Sequence, residues 1–371
     1  MDVFVCDPLM SPVLMAAVIG QEVTDPLPAV LPDHAVHQKA EDGAPFIATN
    51  SGGHAPGLIW CDLPVAAIDR LNLYHSVFGA VPVPAQAVVA GEFRDVQIYL
   101  SRAPADPGIG DWSLPAWEAV HLRPAVLAVE ELFSLDPMPA PALLRQQWPQ
   151  IMARAWARDR VVAAPATLRR EAVVGDITVQ PNAPPMGEFF RFQGFDISHI
   201  RFDGTRSPVM QREGFIGFDA AIVLPYDPIR DKVLLLEQLR VGPILRHDSN
   251  PWMLEPVAGI VDARETPEQA AMRETGEEAG LIPRQLIPAG SYYPSPGSTT
   301  EYFYTFIALC DLVSDAPYAG GLDAEGEDLR LHPLSFDAAM ALADSGEIAA
   351  GPLLTLLYWL ARHRDRLRGM G

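Results

Sequence analysis

The chain is 371 residues long, 49% hydrophobic and 20% charged, a balance that supplies packed cores and excludes disorder throughout. Its 47 acidic residues outnumber 27 Lys and Arg for a formal charge of −20, which repels phosphate backbones and anionic membranes and so excludes a general nucleic-acid or membrane-surface binder. Length predicts two or three domains at roughly 100–200 residues each, and 36 prolines, about twice the usual ~5% share, predict many fixed turns.

The opening Met1-Asp2-Val3-Phe4 has no basic segment of the kind that starts a signal peptide. The longest apolar runs, around 13–19 and 353–361, are too short to span a bilayer. Cys6, Cys61 and Cys310 lie far apart and read as reduced thiols packed as small hydrophobes, so a cytoplasmic protein is expected. Up to about Leu100, short apolar runs alternate with turn signals around one helical segment, Pro12–Gly20, which predicts a small α+β domain. Prolines then cluster at 104–124, 137–141 and 181–185. Between Ala142 and Arg160, apolar spacing near 3.6 predicts a helical extension interrupted at Pro149. Beyond residue 184 the chain turns strand-like at 189–202, 217–226 and 232–239, with a turn over 227–231. These shifts place the main boundary between 165 and 186 and predict domains at 1–175 and 186–371.

The segment from Gly259 to Leu281, GIVDARETPEQAAMRETGEEAGL, is the most informative. Thr266 suits an N-cap, Pro267 the first helical position, and Gln269 completes a capping box. Gly280 fits the left-handed position that ends a helix. Glu274 and Glu278, four residues apart, project from one face, with Glu277 beside them. Seven acids between Glu255 and Glu278 face only two arginines, Arg264 and Arg273. Like charges at this spacing destabilise an isolated helix unless they are simply solvated or a cation sits over them. Oxygen-only ligands suit Mg²⁺, or Mn²⁺, shared with substrate phosphates.

The spacing of Gly259, Glu265, Arg273, Glu274, Glu277, Glu278, Gly280 and Leu281 matches G-x5-E-x7-R-E-U-x-E-E-x-G-U, and the sequence is identified as a member of the Nudix hydrolases. Thr275 departs from the pattern at its first aliphatic position. The resemblance extends over about 189–365 and is nearest to the bacterial ADP-ribose pyrophosphatases, through 220–240 (AAIVLPYDPIRDKVLLLEQLR) and 251–259 (PWMLEPVAG). Pro296, sixteen residues past Gly280, stands at that subfamily's marker position for ADP-ribose. The resemblance implies a C-terminal α-β-α sandwich and Mg²⁺-dependent hydrolysis of ADP-ribose to AMP and ribose 5-phosphate. It implies the Ala258 carbonyl, Glu274 and Glu278 as metal ligands, with Glu277 a further candidate. Glu265 would pair with Arg273 and hold the geometry of the loop and helix. Glu325 aligns with the general base that activates water, and Glu327 is the close alternative. Arg212 and Glu213 match positions near the adenosine half, Arg240 matches a phosphate-binding arginine, and Phe189 or Phe190 would stack on adenine from the partner subunit of a homodimer.

Residues 1 to about 110 resemble the γ-glutamyl cyclotransferase-like (AIG2-like) domains, small mixed β-barrels. The match rests on the opening 3–9, on Gly57-Leu58-Ile59-Trp60, and on Leu71-Asn72-Leu73-Tyr74-His75. The family's loop Y-G-T-L is replaced by Cys6-Asp7-Pro8-Leu9, and His75 stands where its glutamate should be, which implies an inactive module. The fusion is similar to Nudix proteins labelled as tellurite-resistance proteins. Two alternatives stand beside the ADP-ribose reading: hydrolysis of another nucleoside diphosphate sugar, or non-hydrolytic sensing of a nucleotide sugar.

Overall fold

Alternating apolar residues in the first hundred positions pair into strands rather than a bundle, because each strand offers one face to a common interior. The computed structural model describes residues 1–38, 45–101, 112–162, 164–322 and 326–370. It divides into two compact units, 1–167 with 184–189, and 168–183 with 190–371.

In the first unit β1 (Val3–Val5), α1 (Pro12–Ile19), β2 (Leu27–Gln38), β3 (Pro45–Trp60), α2 (Val65–Val77), β4 (Ala80–Val89) and β5 (Glu92–Ser101) follow one another. The strands close into a barrel of order β1-β3-β2-β4-β5. Side-chain alternation along β1 serves two cores. Phe4 joins Leu31, Ile59 and Ile98, while Val3 and Val5 pack with Leu14 and Met15 of α1 and Leu71 of α2.

Two long helices complete the unit, α3 (Leu114–Ser134) and α4 (Pro141–Asp159). Both correct the sequence reading. Pro124 lies inside α3, within a stretch that reads as proline-rich connection, and α4 runs through Pro149 without interruption. An interior proline removes a helical hydrogen bond at a cost of about 3 kcal/mol. Burial nearby offsets that cost, with Ala128, Val129 and Leu132 after Pro124 on α3, and Leu144 and Ile151 on either side of Pro149 on α4, fully or almost fully enclosed.

His75, on α2, is 6% exposed and stacks on Tyr99 with ring centroids 3.7 Å apart and planes 12° from parallel. Its Nε2 has no hydrogen-bond partner among the described residues, and burial pulls its pKa down to about 3. The first unit therefore encloses a neutral histidine between α2 and β5.

The second unit opens with β6 (Ile177–Pro181), β7 (Arg191–His199) and β8 (Met210–Ile216), an antiparallel sheet of order β6-β7-β8. Then come β9 (Asp219–Asp227), β10 (Lys232–Leu239), α5 (Val241–Leu245), β11 (Trp252–Glu255), β12 (Val257–Ile260), α6 (Pro267–Ala279), β13 (Gln285–Tyr292), β14 (Tyr302–Leu309), β15 (Tyr318–Gly320), β16 (Leu329–Ser335), α7 (Phe336–Ser345) and α8 (Gly351–Arg368). Their strands form one sheet of order β13-β14-β9-β10-β16-β15, with β12 also paired to β9 and β11 to β10. β14 runs parallel to β9, and the other pairs are antiparallel.

Period-two alternation splits the central strands between two apolar layers. Ala221, Val223, Leu234 and Leu236 face Ala270 and Ala271 of α6. Ile222, Leu224, Val233 and Leu235 pack against Leu353, Leu356 and Leu360 of α8. The expected α-β-α layering is present, and it sets α6 against one face of the sheet. No helix among the described residues is long and apolar enough to cross a membrane.

The buried histidine sets a pH dependence for the first unit. In the unfolded chain His75 takes up a proton below about pH 6.5, whereas the folded unit keeps it neutral down to about pH 3. Its contribution is therefore complete above pH 6.5 and is lost as pH falls from 6.5 toward 3, by up to about 1.4 kcal/mol per pH unit. Hydrogen exchange of the 65–77 helix, compared between wild type and His75→Phe at pH 7 and pH 5, should show protection falling more steeply in the wild type; equal slopes would contradict it.

Candidate active site

Helix α6 forms where its local signals place it. The Thr266 hydroxyl accepts from the Gln269 N–H at 3.2 Å, and the Gln269 side chain accepts from the Thr266 N–H at 2.8 Å. Gly280 ends the helix at φ 65°. Thr275, the departure from the family pattern, is fully buried, and its hydroxyl donates to the Ala271 carbonyl at 2.6 Å. The polar atom is thus satisfied within the helix and the face is preserved.

Arg273 organises the carboxylates. Its Nε and Nη2 donate to the two oxygens of Glu265 at 3.0 and 2.9 Å, so the expected Glu265–Arg273 pair is present as a two-pronged contact. Nη1 donates to Glu274 at 2.6 Å and to Glu277 at 2.9 Å, and Nη2 also reaches the Ile260 carbonyl at 3.1 Å. These acceptors hold the guanidinium in its charged form, with Glu265 the largest influence.

Glu278 is 4% exposed and accepts from the Ala258 N–H at 3.0 Å. Burial, with the charges of Glu274 and Glu327 nearby, pushes its pKa up to about 8, against the opposing influence of the Ala258 bond and Arg240. Ala258, expected to offer its carbonyl, thus also fixes Glu278 through its amide. The neighbouring Gly259 leaves room for Glu274, since a Cβ there would overlap its carboxylate and make that side chain swing away.

Gly320 and Gly321, which the sequence reading passed over, perform a similar service for the loop after β15. A Cβ on Gly320 would overlap the Glu278 carbonyl, and that carbonyl accepts from the Gly321 N–H at 3.1 Å. The loop is thereby docked on the C-terminal turn of α6. Glu327 follows, its carboxylate accepting from the Leu322 N–H at 3.0 Å, within electrostatic reach of Glu278. Glu325, the other candidate base, lies outside the described residues. A Gly-Gly pair shortly before an acidic run was the available signal for this docking.

Arg240 is half-buried at the start of α5, and its Nε donates to Glu255 at 2.6 Å; it also lies within electrostatic reach of Glu278. Pro296 is exposed on a loop pinned to β8, since the Phe215 N–H donates to the Ser298 carbonyl at 2.8 Å and Thr300 N–H to the Phe215 carbonyl at 2.9 Å. Phe190 is 41% exposed and sets its ring 6.0 Å from Phe215 and 5.7 Å from Phe218. It is therefore not ordinary strand core. Phe189, 48% exposed, belongs to the first unit. Arg212 and Glu213 lie exposed on β8 and line a cleft of about 670 Å³ with Asn182, Gly194 and Gln211. The Arg212 guanidinium folds back on its own strand, onto the Gln211 carbonyl and the Met210 sulfur. The structure thus gathers Ala258, Glu274, Glu277, Glu278, Glu327 and Arg240 in one neighbourhood, joins Pro296 to Phe190 through Phe215, and sets Arg212 and Glu213 on the three-stranded sheet.

Residues 218–354 match the sequence profile of the NUDIX domain. The chain belongs to the Nudix hydrolase family, with that domain in its C-terminal half. Over 180 residues it is 36% identical to the ADP-ribose pyrophosphatase of Escherichia coli (strain K12), covering 48% of this chain and 85% of that protein. It is 32% identical over 179 residues to the GDP-mannose pyrophosphatase of Salmonella arizonae, covering 47% of this chain and 91% of the relative. A solved structure titled "Crystal structure of ADP compounds hydrolase" aligns over 54% of this chain and 99% of its own, with 20% identity and a TM-score of 0.40.

Divalent metals are the family's usual cofactor, and the donor set fits one. All the candidate side chains are carboxylates, which suit a hard cation. The buried Glu278 carboxyl is hard to ionise as it stands, which a cation beside it would reverse. As arranged here, Arg273 occupies Glu274 and Glu277, and no three acidic, His or Cys side chains among the described residues converge as a ready-made cage.

Gly259→Ala tests the arrangement without removing a charge. Displacing Glu274 by an ångström or more should lower phosphohydrolase turnover about a hundredfold, while far-ultraviolet circular dichroism stays that of the wild type. Turnover within twofold of wild type would show that the close approach does not matter.

Proposed function

We propose that this protein hydrolyses the diphosphate bond of nucleoside diphosphate sugars with Mg²⁺ (or Mn²⁺), and that ADP-ribose is its substrate, yielding AMP and ribose 5-phosphate. The observation that carries the reading is the α6 carboxylate face, ordered by Arg273, with Glu278 buried against the amide of Ala258. The ADP-ribose assignment draws on the 36% identity to a relative of that activity and on Pro296 at the marker spacing.

In this reading Ala258, Glu274 and Glu278 hold the cation, with Glu277 as a further ligand. A cation bound there supplies charge neutralisation on the phosphate oxygens and a more acidic water. Glu327 or Glu325 accepts the proton from the attacking water. Arg240 binds a phosphate, where the Glu255 contact fixes its guanidinium. Arg212 and Glu213 bind the adenosine half, and Phe190 or Phe189 stacks on the base in a homodimer. A site built only of carboxylates would repel a diphosphate, so the acidity of α6 makes chemical sense together with the cation.

The N-terminal barrel is, in the same proposal, a γ-glutamyl cyclotransferase-like module without activity. His75 at the glutamate position is buried and neutral against Tyr99, which leaves it no access to a substrate. The similarity to a GDP-mannose pyrophosphatase gives the second reading, in which the same machinery acts on another nucleoside diphosphate sugar.

Nucleoside monophosphate release from ADP-ribose, GDP-mannose, ADP-glucose and UDP-glucose, with Mg²⁺ and with EDTA, tests the reading. ADP-ribose should give the highest kcat/KM, EDTA should abolish it, and Glu278→Gln should lower kcat by roughly two to three orders. Higher kcat/KM for GDP-mannose would select the second reading, and no turnover of any of the four would overturn both.

A further inference from the structure

Three tyrosines of the second unit, Tyr293, Tyr302 and Tyr304, have no role in the site described so far. Period-two alternation along β14 sends Phe306 and Ala308 into the layer beneath α6, so Tyr304 and Tyr302 stand on that same face of the sheet. Helix α6 packs chiefly over β9 and β12. From Thr305 onward β14 is buried, whereas Tyr302 and Tyr304 at its start are half-buried. Tyr293, just past the end of β13, is 49% exposed. The Tyr302 ring lies 4.8 Å from that of Tyr293 and 5.2 Å from that of Tyr304, with planes crossed at 70° and 75°.

Strand register sets this cluster beside the carboxylates. Tyr304 pairs with Ala221 of β9, and Ala221 pairs in turn with Gly259 of β12. Tyr304 is thus two strands from Gly259, about 10 Å at the usual strand spacing, and the Glu274 carboxylate lies over Gly259. Two residues earlier, Tyr302 pairs with Asp219, whose carbonyl accepts from the Val261 N–H at 2.9 Å. On its other side the cluster runs into the loop that carries Pro296, which starts immediately after Tyr293.

Crossed rings make a corner rather than a slot. A flat nucleobase gains most from an open ring face or from two parallel rings. A sugar is puckered, turns C–H bonds toward ring faces, and offers hydroxyls to phenol oxygens that can both donate and accept. Aromatic walls with a few placed polar groups are what fix the orientation of a small ligand. In a nucleoside diphosphate sugar, the sugar is joined directly to the diphosphate that the α6 face would hold through its cation, so it falls within reach of this corner.

We propose that Tyr293, Tyr302 and Tyr304 form the subsite for the sugar beyond the second phosphate, and that the hydroxyls of Tyr293 and Tyr302 decide which sugar is accepted. This rests on the function proposed above and deepens it. The carboxylates of α6 set the chemistry, and the tyrosine corner sets the preference among nucleoside diphosphate sugars.

The test compares kcat/KM of full-length wild type, Tyr293→Phe and Tyr302→Phe, with Mg²⁺, on three substrates. ADP-ribose and ADP-glucose differ only beyond the second phosphate, and ADP-glucose and UDP-glucose differ only in the base. Each variant should change the ADP-ribose to ADP-glucose ratio about fivefold, the usual worth of one hydrogen bond, and leave the ADP-glucose to UDP-glucose ratio within twofold of wild type. A sugar ratio unchanged in both variants would overturn the proposal, as would a base ratio that shifts as much as the sugar ratio. Should the wild type turn over none of the three, the functional reading fails by itself. The corner is then judged by calorimetric titration of the same proteins, with the ratio of Kd values for ADP-ribose and ADP-glucose in place of kcat/KM; no binding, or a ratio unchanged in both variants, would refute it.

Discussion

Three glutamates within two turns of one helix repel one another by roughly 0.2–0.5 kcal/mol per pair, and in this protein Arg273 offsets that repulsion. Its guanidinium takes up both oxygens of Glu265, one each from Glu274 and Glu277, and the carbonyl of Ile260. A lysine could not meet so many acceptors in one plane. The arrangement also ties the helix to the strand before it, since Ile260 ends β12 and Glu265 lies in the turn leading to α6. Other features of the site are subordinate to this tie. Gly259 leaves room for Glu274, Ala258 fixes Glu278 through its amide, and Gly320 lets the following loop rest on the helix end.

The parts legible from sequence are those whose causes are local. Thr266, Pro267, Gln269 and Gly280 specify the ends of α6 within fifteen residues, and the alternation of β9 and β10 specifies which face of each strand meets which helix layer. The parts not legible depend on contacts distant in the chain. Pro124 and Pro149 argue for breaks, yet α3 and α4 pass through them because flanking residues are buried against the rest of the unit. Gly320 has no local turn to explain it, and its reason is an oxygen on Glu278. Arg154 reads as one more charge on an amphipathic helix, and only the fold reveals that it is enclosed and bound to a carbonyl of residue 189.

The charge of −20 gains a partial explanation. In the function proposed, the carboxylates on and around α6 hold a cation, whose charge would offset the burial that pushes the Glu278 pKa up to about 8. The same burial that raises its pKa would strengthen its hold on a divalent ion, because the competing solvent is absent.

The most direct measurement of this account is a Mn²⁺ titration of the full-length protein followed by electron paramagnetic resonance, on wild type, Glu274→Gln and Glu278→Gln. Saturable binding by the wild type is expected, with affinity lowered at least about tenfold in each variant, as for the loss of a ligand or its close support. Wild-type affinity retained in both variants would contradict it, because the metal would then lie somewhere other than the face that Arg273 orders.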